Sequence, residues 1–336
     1  MAVLAGVNGF GRFGLHLLKY WLDRSHHANF SIVWINDDTL TQKDALDIIN
    51  SDRFVQIPKL YKISVNGDEI TFTSADGVEN KLVYTHAKKD KLPWLGKPDI
   101  LLETSGKNTL SRDCKPYLTK RTGKVLISAT SWDADQTLVF GFNHKDHDPK
   151  AQVISYGSCT VNAFVPLAAF LNKKFGIKDA DSNVIHNIQE YRLKDPKNHT
   201  LLRKFCTLEK SGPNLLGFLD EKSFIVNYTV IPYPGVSKMD FRFRLKRPKP
   251  LRDILHTLEE SFVDGDLRHL YAMDETDRGP EVHNCTPHSA VFVRDSAKLL
   301  GDNLYLQSYF DTENSVNRYF DLTDYLASTW GKSRRA

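Results

Sequence analysis

AVLAGVNGFGRFG, Ala2 to Gly14, starts as a short apolar run and ends in three glycines at G-x-G-x-x-G spacing, Gly9, Gly11 and Gly14. Leu15, Leu17, Leu18 and Trp21 then recur at roughly helical spacing, so the stretch reads as strand, glycine turn, helix. Alone the pattern is weak, because a merely tight strand-to-helix turn also carries it. Context strengthens it: SIVWIN (Ser31 to Asn36) supplies the next strand, and Asp37 ends it about 20 residues after the last glycine, where an acidic residue meets the ribose of a dinucleotide. In this reading Gly9 permits the turn, Gly11 admits a pyrophosphate close to the backbone, and Gly14 lets the helix pack on the strand. The helix N-terminus offers N–H groups to the anion. Phe10, Arg12 and Phe13 fill the same loop. With Asp38 beside Asp37, a 2′-phosphate would meet two negative charges, so NAD is expected rather than NADP.

Further short apolar runs follow: DILLE (Asp99 to Glu103), KVLIS (Lys124 to Ser128), TLVFGF (Thr137 to Phe142) and QVISY (Gln152 to Tyr156). Helical candidates lie between several of them. That alternation predicts an α/β, Rossmann-type, doubly wound and mostly parallel sheet. Beyond Cys159 the texture changes. After a helix to about Phe175, runs such as FIVNYTVIPY, MDFRFRL, HSAVFVR and NLYLQSYF alternate apolar and polar residues, which predicts an α+β region with a mainly antiparallel sheet. Residues 314–328 read as a closing helix carrying Val316, Tyr319, Phe320, Leu322 and Leu326.

Composition sets broad limits. Of 336 residues, 41% are hydrophobic and 26% charged, an ordinary globular balance that argues against disorder. The longest apolar runs fall far short of the ~20 residues that cross a bilayer, and no secretory n-region precedes them, so a cytoplasmic protein with no membrane partner is expected. A net charge of +4 is spread along the chain, which reads as solvated surface and not as a nucleic-acid face. The four cysteines form no CxxC pair, so neither a disulfide framework nor a zinc site is expected. NHKDHD (Asn143 to Asp148) reads as a polar surface turn, and no metal is expected.

SYGSCTVNAF, Ser155 to Phe164, poses the chemical question. Cys159 stands where a helix begins, and there the dipole and unpaired N–H groups favour thiolate over thiol. Its base is sought in His186, in VIHNIQ, on a strand that could run beside the helix start. A lone histidine on a strand is also an ordinary structural residue. Asn162 shares the helix face of Cys159, and Pro166 predicts a kink or a tightened first turn.

Taken together, NGFGRFG, the IND of Ile35 to Asp37, ETSG at Glu103 to Gly106, ISAT at Ile127 to Thr130, SCTVN at Ser158 to Asn162 and YFDTENSVNR near the C-terminus resemble glyceraldehyde-3-phosphate dehydrogenase, in family order and close to family spacing. The resemblance covers essentially the whole chain. It implies an NAD domain over residues 1–157, a catalytic domain over 158–313, and a C-terminal helix, 314–336, returning to the first. It also implies a cytoplasmic, glycolytic homotetramer acting on a phosphorylated aldehyde and inorganic phosphate. Cofactor contacts are implied at Asn36, Thr104, Ser105, Gly106, Ser128, Ala129 and Asn314. Cys159 would form a hemithioacetal and then a thioester, with His186 as base, and the thioester would be cleaved by phosphate held at Ser158 and Thr160.

Several positions depart from the family pattern. Gln189 and Tyr191 stand at the family's threonine positions, one of which contacts the substrate phosphate, and Val230 stands where an arginine does. Arg192, or Arg203, remains as a cation for that phosphate. The family's Thr-Gly for inorganic phosphate matches Ser211 and Gly212. Thr312 replaces the asparagine that binds the nicotinamide carboxamide, with Asn314 as stand-in. A paralogue using another aldehyde, such as erythrose 4-phosphate, or an NAD-binding regulatory protein without catalysis, would show part of the same pattern. Retention of both Cys159 and His186 favours an enzyme.

Overall fold

The computed structural model of the chain describes residues 2–188 and 190–333, and every side chain among them except those of residues 190, 191, 312–314 and 331–333. The chain forms two compact units, one running to Gly157 and resuming at Val316, the other spanning Ser158–Ser315.

The first unit is built on β1 (Val3–Asn8) and β2 (Phe30–Asn36), which pair in parallel and are joined by helix α1 (Arg12–Arg24). Helices α2 (Gln42–Ser51) and α3 (Ile57–Leu60) lead to β3 (Tyr61–Asn66), β4 (Glu69–Ser74) and β5 (Glu79–Thr85). Then come β6 (Ile100–Glu103), the short helix α4 (Ser111–Cys114), β7 (Lys124–Ile127), β8 (Gln136–Thr137) and β9 (Val153–Ser155). The nine strands lie in the order β3-β4-β5-β2-β1-β6-β7-β9-β8. All pairs are parallel except β3/β4 and β4/β5. Every residue of β6 and β7 is buried, as parallel strands covered on both faces require. The expected α/β sheet is therefore present.

Two features differ from the sequence reading. TLVFGF contributes only Thr137 to a strand; Leu138 and Val139 are fully buried, but Phe142 N–H turns back onto the Val139 carbonyl at 3.1 Å. Burial there comes from a turn, whose apolar run cannot be told from a strand by periodicity. The antiparallel meander β3–β5 was not anticipated either, although Tyr61, Ile63 and Val65 alternate with polar residues along the mostly exposed β3.

In the second unit, helix α5 (Cys159–Phe175) leads into β10 (Ile177–His186). After β11 (Leu202–Arg203), helix α6 (Leu208–Leu216) and β12 (Phe224–Val230) come β13 (Ser237–Leu245), helix α7 (Leu251–Asp264), β14 (Tyr271–Asp274), β15 (Ala290–Val293), β16 (Lys298–Leu300) and β17 (Asn303–Phe310). The sheet order is β11-β12-β10-β13-β17-β15-β14, with β16 on β17, and only β10/β12 and β14/β15 are parallel. Strand alternation puts Phe241 and Phe243 on the face that meets Phe164 of α5, and Phe292 against Phe262 of α7. The opposite face carries Asp179, Asp181 and Arg242, ion-paired across β10 and β13.

Pro166 lies inside α5, yet the helix continues to Phe175. Proline lacks the N–H that would reach the Asn162 carbonyl. The hydroxyl of Tyr271, a fully buried residue of β14, occupies that gap: it lies 3.3 Å from Asn162 O and 3.0 Å from Ala163 O, and accepts from Leu167 N–H at 3.1 Å.

The last helix, α8 (Thr312–Ser333), extends beyond both ends of the predicted 314–328. Val316, Tyr319, Phe320, Leu322 and Leu326 are buried in the core that holds α1, and Tyr319 donates to the Leu126 carbonyl of β7 at 2.6 Å.

Candidate functional site

The glycine turn is shaped by the chain around it. Gly9 has φ +106°, and a Cβ there would lie 2.4 Å from Ser105 backbone. Thr104 Oγ1 donates to the Gly9 carbonyl at 2.6 Å, and Gly9 N–H to the Asn36 carbonyl at 2.7 Å. A Cβ on Gly14 would approach the Gly9 carbonyl oxygen to 2.3 Å, so helix and turn touch only because that carbon is absent. Gly11 is different: a Cβ there would meet nothing within 4 Å. The protein does not need that glycine for packing. The space in front of it lies at the start of α1, whose first turn has no side-chain cap and no acidic residue, which suits a pyrophosphate.

Asp37 is 9% exposed and already accepts three backbone N–H groups, Phe10 at 2.7 Å, Thr39 at 2.8 Å and Leu40 at 2.9 Å. A carboxylate has about four acceptor sites, so about one remains for a ribose hydroxyl. Asp38 is ion-paired to Lys107 Nζ at 2.6 Å. Of the two acidic residues expected to face a 2′-phosphate, Asp38 thus has a cation partner, whereas Asp37 is held by backbone N–H groups.

The other expected cofactor residues divide by geometry. Asn36 is fully buried and spends its amide on Asn8 Oδ1 and the Ala87 carbonyl, both at 3.0 Å. Phe10 packs edge-on against Tyr84, and Phe13 against Tyr156 and Tyr319. These side chains support the turn from behind. Arg12 lies over the Phe54 ring, 5.5 Å from its centre. Ser105 N–H donates to Glu103 Oε1 at 2.9 Å, Gly106 has φ +68°, Ser128 N–H donates to the Glu103 carbonyl at 2.9 Å, and the Ala129 carbonyl accepts from Ser155 Oγ at 2.9 Å. Buried Glu103 joins these loops, accepting also from Asn8, Asn108 and Tyr117. The side chain of Asn314 lies outside the described residues.

In the second unit, Ser158 caps α5, its Oγ accepting from Val161 N–H at 3.3 Å, and Cys159 is the first helical residue. Asn162 Nδ2 donates to the Ser158 carbonyl at 3.0 Å and steadies the same turn. His186 closes β10 with Nε2 3.6 Å from Cys159 Sγ and Nδ1 2.9 Å from the Asn187 carbonyl oxygen. A carbonyl only accepts, so the proton sits on Nδ1 in the neutral ring and the Nε2 lone pair faces sulfur. Tyr228 and Phe310 flank the imidazole, with ring centres 5.5 and 5.9 Å away. Burial pushes two of the other three thiols away from reactivity, Cys206 up to about 11 and Cys114 up to about 12.

Hydroxyls converge beside Cys159. Ser158 Oγ lies 3.1 Å from Thr160 Oγ1, and Thr207 Oγ1 donates to Ser158 Oγ at 3.2 Å. Thr207 was not singled out from sequence. A hydroxyl residue directly before helix α6 is the available signal, but it suggests a cap, and Thr207 makes no cap bond. Ser211 and Gly212 take another place: both are buried in α6, and a Cβ on Gly212 would meet the Phe224 ring at 3.1 Å. Gln189 lies outside the described residues. Arg192 is exposed on a short turn of 3-10 helix, Glu190–Lys194. Arg203 pairs with Thr229, whereas His186 pairs with Val230 and Val230 with Leu202, so alternation places Arg203 on the sheet face away from His186.

No family model matches the chain. It is, however, similar over nearly its whole length to curated proteins named glyceraldehyde-3-phosphate dehydrogenase. The one from Geobacillus stearothermophilus is 28% identical over 98% of this chain and 99% of its own. Glyceraldehyde-3-phosphate dehydrogenase of Podospora anserina is 28% identical over 97% and 98%, and glyceraldehyde-3-phosphate dehydrogenase 1 of Bacillus subtilis 28% over 97% and 99%. Its likeness is to glyceraldehyde-3-phosphate dehydrogenases, at 25–28% identity over nearly the full chain.

A dinucleotide such as NAD fits the cradle that the first unit builds. The open space before Gly11, the uncapped start of α1 and the acceptor site left on Asp37 fit its pyrophosphate and ribose. Among the described residues no helix is long and apolar enough to cross a membrane.

Proposed function

We propose that this chain is an NAD-dependent, phosphorylating aldehyde dehydrogenase in which Cys159 is the nucleophile and His186 the base. The observation that carries the reading is the 3.6 Å separation of Cys159 Sγ and His186 Nε2, with Nδ1 committed to a carbonyl. The helix start favours the thiolate. The thiol proton passes to His186 Nε2, sulfur adds to the aldehyde carbon, and Nε2 gives that proton to the forming oxyanion. His186 then takes that proton back as hydride leaves the carbon, and a thioester remains on Cys159. NAD, when bound, supplies the hydride acceptor. An oxygen of inorganic phosphate, held by the hydroxyls of Ser158, Thr160 and Thr207, attacks the thioester carbon; the C–S bond breaks, an acyl phosphate departs and the thiolate returns.

In this reading residues 1–157 bind NAD, 158–313 carry the chemistry, and 314–336 return to the first part, within a cytoplasmic, glycolytic homotetramer. Glyceraldehyde 3-phosphate is the first substrate to consider. The alternative is another aldehyde, phosphorylated as in erythrose 4-phosphate or not, and one observation supports a changed substrate: Val230 and Leu202 stand beside His186 in the sheet, and Arg203 lies on its other face.

The test is NAD reduction with a panel of aldehydes, with and without phosphate or arsenate. Cys159→Ser abolishes turnover with every aldehyde while NAD still binds; persistent turnover removes Cys159 from the mechanism. Thr207→Val raises the phosphate concentration needed for half-maximal rate.

A further inference from the structure

Asn187 follows His186 directly and is fixed from three directions. It is 7% exposed. Its backbone N–H donates to Ser237 Oγ at 3.0 Å. Its side-chain amide donates to the Gly235 carbonyl and lies 3.2 and 3.1 Å from the two carboxylate oxygens of Asp311. Asp311 is itself only 1% exposed, and its carbonyl accepts the Ser315 N–H in the first turn of α8.

A buried carboxylate needs donors, and an amide nitrogen with two hydrogens can serve the carboxylate and a carbonyl together. No other uncharged side chain of that size offers two donors from one atom. The side-chain amide and backbone N–H of Asn187 anchor one side of the following peptide. The Ile188 N–H, donating to the Tyr233 carbonyl at 2.9 Å, anchors the other, so the Asn187 carbonyl is held against His186 Nδ1 at 2.9 Å. That contact sets which ring nitrogen carries the proton and which way the other points.

We propose that Asn187, anchored by Asp311, is a positioning residue for the Cys159–His186 pair: it holds the carbonyl that keeps the proton on Nδ1 and turns Nε2 toward sulfur. The inference rests on the reading of Cys159 and His186 as the reacting pair. The carbonyl also stabilises the imidazolium by accepting its Nδ1 proton, and an imidazolium beside Cys159 favours the thiolate. Among the described residues, polar and titratable groups near the ring include Cys159 from α5, Tyr228 from β12 and, through Asn187, Ser237 from β13 and Asp311. Tyr228 is kept protonated chiefly by burial, so it adds no charge near neutral pH.

The experiment follows alkylation of Cys159 by iodoacetamide against pH, without aldehyde, by peptide mass spectrometry. In Asn187→Ala the midpoint moves upward, the rate at pH 7 falls about tenfold, and kcat falls about ten- to a hundredfold while NAD affinity is retained. Asn187→Ser keeps one donor and shifts the profile by less; if the alanine variant does not fold, the serine variant decides. A folded Asn187 variant with an unmoved alkylation profile overturns the proposal, since a merely structural role would change melting and not the midpoint. His186→Ala is the control. If its profile also matches the parent, the Cys159–His186 reading itself has failed; if only the Asn187 variants match, that reading stands and the positioning role does not.

Discussion

The hydroxyl of Tyr271 fills the hydrogen-bond gap that Pro166 opens in α5, 3.3 Å from the Asn162 carbonyl and 3.1 Å from Leu167 N–H. The helix that begins at Cys159 thus continues through a proline seven residues on. Tyr271→Phe preserves the ring contacts to Phe262 and Phe292, at 5.5 and 5.6 Å, and removes only the hydroxyl. The expected cost is about 1–3 kcal/mol, because buried backbone groups lose a partner. Denaturant unfolding measures it. Pro166→Ala restores an N–H for Asn162, so the tyrosine change should cost less in that background. Equal costs in both backgrounds would show that the hydroxyl is not serving the proline gap.

Gly9 and Gly11 make opposite predictions although both belong to one motif. Alanine at Gly9 combines φ +106° with a 2.4 Å approach to Ser105 backbone, so Gly9→Ala loses about 2 kcal/mol or more of stability. Alanine at Gly11 meets nothing within 4 Å, so Gly11→Ala melts close to the parent in the absence of cofactor. It nevertheless loses NAD affinity, because its methyl group takes the space that a pyrophosphate needs. Calorimetry on a folded Gly11→Ala protein that binds NAD normally would sink this account of the cradle.

The sequence carried local information faithfully and long-range pairing poorly. Gly9, Gly11 and Gly14 were legible because turn, pyrophosphate approach and helix packing fall within six residues, and the parallel sheet because β6 and β7 are short, largely apolar runs. Asp38 read as a second negative charge because nothing near it in sequence discloses Lys107. Thr207 was passed over for a related reason: its hydroxyl reaches Ser158 only because α6 packs beside the start of α5. TLVFGF misled because full burial of Leu138 and Val139 is served equally by a turn or a strand. The link from Pro166 to Tyr271 has no sequence signature, since a proline announces a missing donor and not the residue that compensates for it.

The Asp38–Lys107 pair predicts how cofactor preference responds to mutation. In the parent, Asp37 alone opposes a 2′-phosphate, while Lys107 is held by Asp38 at 2.6 Å. Asp38→Ala releases Lys107, an exposed cation, beside that position. NADP affinity should then rise roughly fivefold, the equivalent of about 1 kcal/mol for one partly screened charge. Lys107→Ala should lower NADP affinity further. Calorimetric titration with both dinucleotides checks this, and an unchanged ratio in Asp38→Ala would exclude Lys107 from the ribose side of the cradle.

Two buried thiols give the protein a stability slope in mild alkali. Burial raises Cys206 to about 11 and Cys114 to about 12, against about 8.5 for a thiol in an unfolded chain. The native state therefore keeps these protons after the unfolded state has released them. Their contribution is fully present below about pH 8.5 and declines as pH rises toward the folded values, by up to about 1.4 kcal/mol per pH unit for each thiol. Cys206→Ala removes one of the two, so its unfolding free energy should fall less steeply between about pH 9 and 11, whatever the change costs at pH 7. The same protonation makes Cys206 and Cys114 slow toward iodoacetamide at pH 8, where Cys159 reacts first. Parallel pH slopes in the parent and Cys206→Ala, or early labelling of Cys206, would mean that this thiol ionises as readily in the folded protein as in the unfolded chain.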